Sequence, residues 1–404
     1  MKTLLFRYFP CFLFPLMIVL PACTSSGLYK PLPQQFEQKA TITGYKNIRV
    51  WGDSTSKAME LNAEQSYQQM LKSNGGHLPP IVNALALSGG GADGAFGAGL
   101  LYGWGKAGNR PTFHLVSGIS TGALMAPFAF LGHAYDDRLK LVYTTLSDKH
   151  IYELHNPFTI LSSYIKPILK PSIASNKPMK QMMEKIFDQH MLDDIGNAHK
   201  QGRRLFIGTT QLNAQRLVIW DIGAIAVSGN PNALSLVHKI LMASSALPGL
   251  FPPQYFEVKS DGKYYQEMHM DGGVETQVML YEKAIVPFAK IYINSTKDHE
   301  NKLYIIRNRK VCPEWENVKP RLHTMLERVI FTLTKTQGIG DLYRLYAYAM
   351  RDHIDYNLAF IPANFKKQAK SPFDGDYMKE LFNIGQRLGL RGYPWKKYPP
   401  GLFD

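Results

Sequence analysis

Two short apolar runs in the first third of the chain each end in a glycine-rich turn. The first run covers residues 83–88 and leads into Gly89-Gly90-Gly91, and the second covers residues 113–116 and leads into Gly118-Ile119-Ser120-Thr121-Gly122. Small and apolar residues follow each turn, as expected for a buried helix. This order predicts a βαβ unit with both turns at the carboxyl ends of neighbouring parallel strands.

The same reading of the pattern predicts elements along the rest of the chain. Helices are predicted over residues 56–72, 177–189, 193–200 (with Asp193 as N-cap), 233–246, 321–348 (with a kink at Gly338 and Gly340) and 373–388. Strands are predicted over residues 205–211, 216–220, 255–258, 264–270 and 290–294, with a hairpin turn at Ser260-Asp261-Gly262.

Together these elements predict one α/β domain with a mixed, largely parallel central sheet, flanked by helices, and a helical C-terminal extension. We expect the chain to divide into a signal peptide (1–22), a tether with an N-terminal helical segment (23–80), a main α/β domain that contains both glycine turns (81–300) and a mostly helical extension packed on it (301–404).

The sequence allows two structural interpretations for each of two segments. The apolar, proline-containing stretch 154–173 is either a mobile cap over the crevice or a loop packed on the sheet. The aromatic, lysine-containing tail 393–400 suits a membrane interface, or it is pinned to the domain by its aromatic rings.

The net charge of the chain limits the classes of molecule that we expect it to bind. The 404 residues carry a formal net charge of +14, but no nucleic-acid recognition motif is present, so nucleic acid is not an expected partner. Attraction to anionic lipid head groups is one interpretation of this charge, and a basic surface that only keeps the protein soluble is the other.

The N-terminus resembles an export signal. Lys2 and Arg7 precede a short apolar run, too short and interrupted to span a bilayer comfortably. Leu20-Pro21-Ala22-Cys23 resembles a bacterial lipobox, although proline is not favoured at its position. Cys23 is then acylated, and Thr24 resembles an outer-membrane sorting signal. The alternative is ordinary cleavage that leaves Cys23 as a free thiol. With Cys23 acylated, only Cys312 remains, so no intramolecular disulfide is expected.

The two glycine turns carry the candidate chemistry. Gly118-x-Ser120-x-Gly122 has the spacing of a nucleophile elbow, and the first turn can present consecutive N–H groups to a negative oxygen. Gly89-x-Gly91-x-x-Gly94 also matches a dinucleotide fingerprint, but no carboxylate ends the second strand. No Gly-Lys-Ser/Thr follows, which excludes an NTPase loop.

A third element, Asp271-Gly272-Gly273, lies far downstream at the end of a predicted strand. Gly-Gly-Gly-x-x-Gly, Gly-x-Ser-x-Gly and Asp-Gly-Gly, in this order, resemble the patatin-like phospholipase family over about residues 83–295. The segment 243–252 resembles the part of the family that precedes the aspartate strand.

The resemblance implies a patatin-like, modified α/β-hydrolase-type fold and a Ser–Asp dyad that works without histidine. Matched residue by residue, it implies Ser120 as nucleophile and Asp271 as base, and it requires no cofactor. It also implies an oxyanion hole made by the amides of Gly89, Gly90 and Gly91. The other motif glycines are Gly94, Gly118, Gly122, Gly272 and Gly273.

One position departs from the family, which usually carries Arg or Lys where this chain has Asp93. That cation is thought to support the oxyanion loop. Asp93 either points away from the crevice and is neutralised by a nearby cation, or it disfavours anionic head groups. We adopt the second as the expectation, with a bias toward neutral glycerides, lysolipids or zwitterionic lipids.

His269 lies two residues before Asp271, so both side chains are expected on one face of the strand. A Ser–His–Asp triad is compatible with this spacing, but the resemblance favours the dyad, with His269 in a supporting position. No Cys/His cluster has the spacing of metal ligands, so no metal is expected.

The sequence therefore predicts a serine hydrolase of lipid esters (phospholipase A, lysophospholipase or lipid esterase) anchored to a membrane through Cys23. The alternative is a catalytically silent, lipid-binding envelope lipoprotein on a hydrolase scaffold.

Overall fold

The computed structural model describes residues 29–154, 172, 174–294 and 300–403, and these residues form a ten-stranded sheet and a small two-stranded one. The strands are β1 (Thr41–Ile42), β2 (Arg49–Trp51), β3 (Ile81–Leu87), β4 (Leu115–Gly118), β5 (Glu153–Leu154), β6 (Ala174–Ser175), β7 (Arg204–Gln211), β8 (Arg216–Asp221), β9 (Gln254–Ser260), β10 (Lys263–Asp271), β11 (Glu300–Arg307) and β12 (Asp355–Phe360).

Five strands of the large sheet are parallel, in the order β7, β4, β3, β11 and β12. The register places Leu85 of β3 opposite Val116 of β4 and Tyr304 of β11. Antiparallel strands extend the sheet from β7. Strand β8 pairs with β7, and β2 pairs with β8. Strand β10 pairs with the last three residues of β7 and is followed across the sheet by β9 and β1. Because parallel strands share a carboxyl edge, the loops after β3, β4 and β11 meet there.

Helices flank this sheet. They are α1 (Lys57–Ser73), α2 (Gly94–Lys106), α3 (Thr121–Leu131), α4 (Asp136–Thr145), α5 (Asp148–Ile151), α6 (Lys177–Ile186), α7 (Gln189–Lys200), α8 (Ile222–Ala226), α9 (Ala233–Ser244), α10 (Val286–Asn294), α11 (Leu322–Arg351) and α12 (Gly375–Leu390). Helix α12 lies close against α2, since a methyl on Gly99 would stand 2.1 Å from the Phe382 carbonyl oxygen. The described residues from Pro31 onward form one compact unit. Among the described helices, none is long and apolar enough to cross a membrane.

The predicted fold class is confirmed: the sheet is mixed with a parallel centre, and a helical C-terminal region is present. The helix after Ser56 is confirmed too, and the Ser56 side chain caps it by accepting from the Met59 amide. The hairpin turn falls at Asp261 and Gly262, which both have positive φ.

Three details of the prediction are wrong. Residues 290–294 belong to helix α10, which begins at Val286 with a proline in its first turn, where proline favours a helix. Two core strands, β11 and β12, follow residue 294, although no core strand was predicted beyond it; the predicted helical C-terminal region is itself present. The N-cap of α7 is Asp188, whose side chain accepts from the Met191 amide at 2.9 Å, and not Asp193.

The structure decides between the interpretations of the tail. Trp395 packs on Trp104 and Tyr304 with ring centroids 5.0 Å apart in both pairs. The aromatic rings therefore pin the tail to the domain. Residues 1–23, with the predicted signal and Cys23, and nearly all of the stretch 154–173 lie outside the described residues.

Candidate active site

Ser120 lies on the sharp turn between β4 and α3, with φ 56° and ψ −127°. A residue other than glycine rarely adopts positive φ, and such strain is typical of nucleophile elbows. The turn needs its flanking glycines, because a methyl on Gly122 would stand 2.3 Å from the Leu87 carbonyl oxygen. The Ser120 amide donates to Ser244 Oγ at 3.1 Å, which holds the turn from behind. The side chain is thus placed at the carboxyl edge of the sheet.

Asp271 ends β10 and is buried. Its Oδ1 accepts from the Gly273 amide at 2.7 Å, while its Oδ2 is buried and accepts no hydrogen bond of normal geometry from the described residues. Burial raises the pKa of Asp271 to about 7, although the nearby Ser120 hydroxyl, the Gly273 amide and the Arg309 charge lower it in part. A carboxyl with this pKa can accept a proton near neutral pH.

The first glycine turn lies against the elbow, since a methyl on Gly89 would stand 3.2 Å from Ser120 Cβ. The Gly89 amide, however, donates to the Gln277 carbonyl at 3.2 Å. Hydrogen bonds from the amides of Gly90 and Gly91 to other described residues are absent. The Gly89 donor is therefore already used, which leaves the amides of Gly90 and Gly91 as the candidate donors of the expected oxyanion hole.

The loop after β11 holds the first glycine turn in place through hydrogen bonds, and no sequence pattern predicted this role for the loop. Asn308 donates from its backbone amide to Ser88 Oγ and from Nδ2 to the Ser88 carbonyl, both at 2.8 Å, and its Oδ1 accepts from the Gly97 amide at 3.1 Å. A methyl on Gly90 would stand 2.2 Å from the Asn308 carbonyl oxygen. The only sequence signal was a polar Arg-Asn-Arg directly after an apolar run.

Two arginines flank Asn308 and bring positive charge to the site. Arg307 is fully buried, and burial lowers its pKa to about 9, with the Arg309 charge acting in the same direction. Arg309 lies over the Phe331 ring at 4.2 Å, and its Nη1 is 3.9 Å from Asp93 Oδ2. The Arg309 charge also lowers the pKa of Asp271. A cation therefore stands near the Asp271 carboxyl, although it comes from outside the glycine turn.

Asp93 lies in the 3₁₀ turn that follows the glycines, at Gly91–Asp93. Its Oδ1 accepts from the Tyr377 hydroxyl at 2.5 Å, and Arg309 stands beside its other oxygen. Burial raises its pKa, against the lowering effects of Arg309 and Tyr377. The structure therefore favours neutralisation by a nearby cation over the expected bias against anionic head groups.

His269 is fully buried and packs against the rings of Trp220 and Phe256. Its Nδ1 is 2.9 Å from Thr209 Oγ1, and its Nε2 is 3.1 Å from Glu267 Oε2. Both ring nitrogens are thus engaged away from Ser120. Burial lowers the pKa of His269 against the opposite effect of Glu267, so the neutral ring is favoured. This arrangement supports a dyad and not a triad.

A mostly apolar cleft of about 700 Å³, counted with its mouth, begins at Ser120 and Gly91. Its walls come from α3, α4, α6 and the segment after α9, and among its lining residues are Leu124, Phe128, Met179, Met183, Phe251 and Met378. The remaining motif glycines permit close backbone contacts around this edge: Gly94, Gly118, Gly272 and Gly273. In the described part of the chain, no group of three or more His, Cys, Asp or Glu side chains is placed to hold a metal ion.

Residues 85–280 match the model of the patatin-like phospholipase family. The match includes Gly89, Ser120 and Asp271, in the geometry described above. Residues 85–280 are a patatin-like phospholipase domain. The match supports lipid hydrolase activity in general, and it leaves Asn308 and Arg309 outside the matched segment.

The solved structures that match this chain are distant in sequence and in structure. VipD from Legionella pneumophila is 12% identical, with 78% of this chain and 68% of VipD covered and a TM-score of 0.34. ExoU from Pseudomonas aeruginosa, in complex with SpcU, is 13% identical; 78% of this chain and about half of ExoU (53%) are covered, with a TM-score of 0.29. Such scores add nothing about substrate or activity. No curated protein sequence is significantly similar to this chain.

Proposed function

We propose that this protein hydrolyses carboxylic esters of lipids, with Ser120 as nucleophile and Asp271 as base. The observation that carries the proposal is the meeting of these two residues at one edge of the sheet, where an apolar cleft begins. The strained elbow, the buried carboxyl with a pKa of about 7 and the amides of Gly90 and Gly91 support acyl transfer through a serine ester.

In the first half-reaction, Ser120 Oγ attacks the carbonyl carbon of the ester while its proton passes to Asp271. The carbonyl oxygen becomes an oxyanion, which the amides of Gly90 and Gly91 and the N-terminus of α3 stabilise. Collapse of this intermediate expels the alcohol, which takes the proton from Asp271, and leaves the acyl group on Ser120. Water then attacks the acyl carbonyl carbon and gives its proton to Asp271. The second intermediate collapses, Ser120 Oγ leaves and takes the proton back from Asp271, and a free fatty acid departs.

The cleft supports an acyl chain as the group next to the scissile carbonyl. Leucine, phenylalanine and methionine side chains line it from Ser120 outward, and methionine adapts to chains of different shape. The substrate classes that fit are phospholipids, lysophospholipids and neutral glycerides.

Arg309 takes, in this proposal, the role of the cation that the family places at the position of Asp93. Asp93 and the Phe331 ring hold its guanidinium near the glycine turn, and its charge favours the ionised form of Asp271. Arg309 is therefore a positioning residue that acts through the charge of Asp271 and of the oxyanion.

We also propose that the protein is an exported lipoprotein, anchored to the outer membrane by an acylated Cys23. The lipobox-like sequence around Cys23 supports the anchor, and the net charge of +14 supports contact with anionic lipid. Placement at a membrane brings the enzyme to its lipid substrate.

The hydrolysis of a short p-nitrophenyl ester and of a panel of lipid classes tests the dyad. Ser120→Ala and Asp271→Asn should each lower kcat by about a thousandfold or more, and the double variant should be little worse, because the two residues act as a unit. Ser245→Ala is the matched control, since this hydroxyl also lines the cleft but has no role in the mechanism; its kcat should stay within about threefold.

Variants of His269 separate the dyad from a triad. His269→Gln should stay within about tenfold of the unsubstituted protein if the ring only supports β10. A loss as large as that of Ser120→Ala would instead assign the base to His269. No turnover of any ester by the unsubstituted protein would favour the silent lipid-binding alternative.

A further inference from the structure

The first half of α11 presents its apolar side to solvent and its polar side to the protein, which is the reverse of an ordinary surface helix. Its polar side faces the protein: Arg328 and Lys335 pair with Glu316 and Glu314, at 2.8 Å and 3.0 Å. Its apolar side faces outward, with side chains 45 to 71% exposed at positions spaced three or four residues apart. This exposed face consists of Leu322, Met325, Leu326, Val329, Ile330 and Leu333. A surface helix normally points such a stripe into the core, so this face is built for a partner.

Positive charge and an exposed tryptophan lie at the N-terminal end of the exposed face. Lys319 and Arg321 are exposed at the start of the helix, and Trp315, four residues before Lys319, is 92% exposed. The other cations of residues 309–335 are paired with carboxylates, since Lys310 and Lys335 pair with Glu314 and Arg328 pairs with Glu316. Lys319 and Arg321 have no ion pair among the described residues and carry the positive charge beside the exposed face. Apolar side chains flanked by cations and tryptophan are typical of helices that lie in the head-group region of an anionic bilayer.

The exposed face belongs to the same helix that contacts the chain beside Asp271, at the carboxyl edge of the sheet. Strand β11 ends there at Arg307, parallel to β3 and β4, and leads into the segment before α11. Farther along α11, Asp341 Oδ2 accepts from the amides of Gln277 and Val278, at 2.7 Å and 3.1 Å. These amides follow the Asp271-Gly272-Gly273 turn. A surface that holds the exposed face would therefore hold the helix that supports the active site.

We propose that the exposed face of α11 docks on an anionic lipid surface and inserts its apolar side chains at the boundary between head groups and acyl chains. The charge argues for lipid over a second copy of the chain, because two copies would bring like-charged rims together. The proposal goes beyond ester hydrolysis: binding to the surface does not require Ser120, and it can be measured without turnover.

The test uses full-length protein and vesicles of phosphatidylglycerol and phosphatidylcholine that carry brominated acyl chains, which quench nearby tryptophan. Quenching should appear with phosphatidylglycerol, weaken with salt, and disappear in Trp315→Phe, which assigns it to Trp315. Leu326→Glu/Ile330→Glu should raise the lipid concentration for half-maximal quenching by at least about tenfold, because two buried apolar side chains are lost.

The matched control is Leu61→Glu/Leu141→Glu, which changes two leucines of similar exposure (58% and 61%) on α1 and α4. It should leave the quenching curve unchanged, and both double variants should hydrolyse a short soluble ester at the unsubstituted rate. Absence of Trp315 quenching, or equal quenching in the face variant, overturns the proposal. A dimer that only the face variant disrupts, with no change in quenching, assigns the face to a second copy instead.

The readouts separate this proposal from the proposed function. If the ester assay fails but quenching depends on Leu326 and Ile330, docking stands and hydrolysis falls. If hydrolysis depends on Ser120 but quenching does not depend on the exposed face, the proposed ester hydrolysis is retained and the proposed docking is rejected. Anchoring by Cys23 alone would leave quenching insensitive to both double variants, which also overturns the proposal.

Discussion

Replacing Asp271 by asparagine should stabilise the fold at pH 8 while it removes activity. Burial raises the pKa of this carboxyl from 3.8 to about 7, so the folded state holds the ionised form at a cost. In the unfolded chain the same carboxyl ionises at its ordinary pKa. The penalty is therefore absent below pH 4, grows between pH 4 and 7, and is complete above pH 7.

The size of the effect follows from the shift in pKa. A shift of roughly 3 units at about 1.4 kcal/mol per unit gives an upper figure of about 4 kcal/mol. The asparagine oxygen can still accept from the Gly273 amide, but its nitrogen enters the place of Oδ2, which lies near the Ser120 hydroxyl and has no hydrogen bond of normal geometry among the described residues. An unmet donor costs about 1–3 kcal/mol. We expect a net gain of about 2 kcal/mol at pH 8.

Urea unfolding followed by tryptophan fluorescence measures this difference. At pH 8 the Asp271→Asn variant should have the larger free energy of unfolding, and at pH 4 that advantage should be gone. Asp188→Asn is the control of opposite sign. Burial works to raise the pKa of Asp188, but the Met191 amide and Arg138 outweigh it and lower the pKa, so its removal should destabilise the fold at pH 8. A loss of stability in Asp271→Asn that is equal at both pH values would refute the reasoning.

Three further predictions concern the rest of the account. Arg309→Gln should move the acid limb of the kcat/KM profile to higher pH, because the pKa of Asp271 then rises; a uniform drop at all pH values would assign Arg309 a purely structural role. Gly90→Ala should lower kcat by at least about tenfold, since its methyl would collide with the Asn308 carbonyl, and initial rates on a short ester measure this. Cys23→Ser should release the protein from membranes in cell fractionation and abolish labelling by an alkyne fatty acid; equal labelling would contradict the lipoprotein proposal.

The features that short-range sequence patterns encode could be predicted. The elbow at Ser120 depends on glycines two residues away, and the apolar runs before both turns mark β3 and β4 directly. The patatin-like motifs then placed Asp271 near Ser120. Such a turn can be recognised from a short segment, because its glycines stand at fixed positions on either side of the serine.

The parts that failed depend on contacts between distant segments. The amide of Gly89 is used by Gln277, and Asn308 fastens Ser88 across 220 residues of chain, which no local pattern reveals. The pairing of Asp93 with Arg309 also joins two segments that lie far apart in the sequence, so no local pattern predicts it. Periodicity predicted an amphipathic helix over residues 321–348, but a period does not say which side faces the core, so the exposed face of α11 had to come from the structure.

The pH dependence of Ser120 labelling by a fluorophosphonate ester tests the central claim most directly, because the reagent reacts only with an activated serine. Mass spectrometry should find the phosphonate on the peptide that contains Ser120. The labelling rate should rise through pH about 7 with the ionisation of Asp271, and it should fall by about a thousandfold or more in Asp271→Asn. Labelling of another residue, or a rate that Asp271→Asn leaves unchanged, would contradict the Ser120–Asp271 dyad.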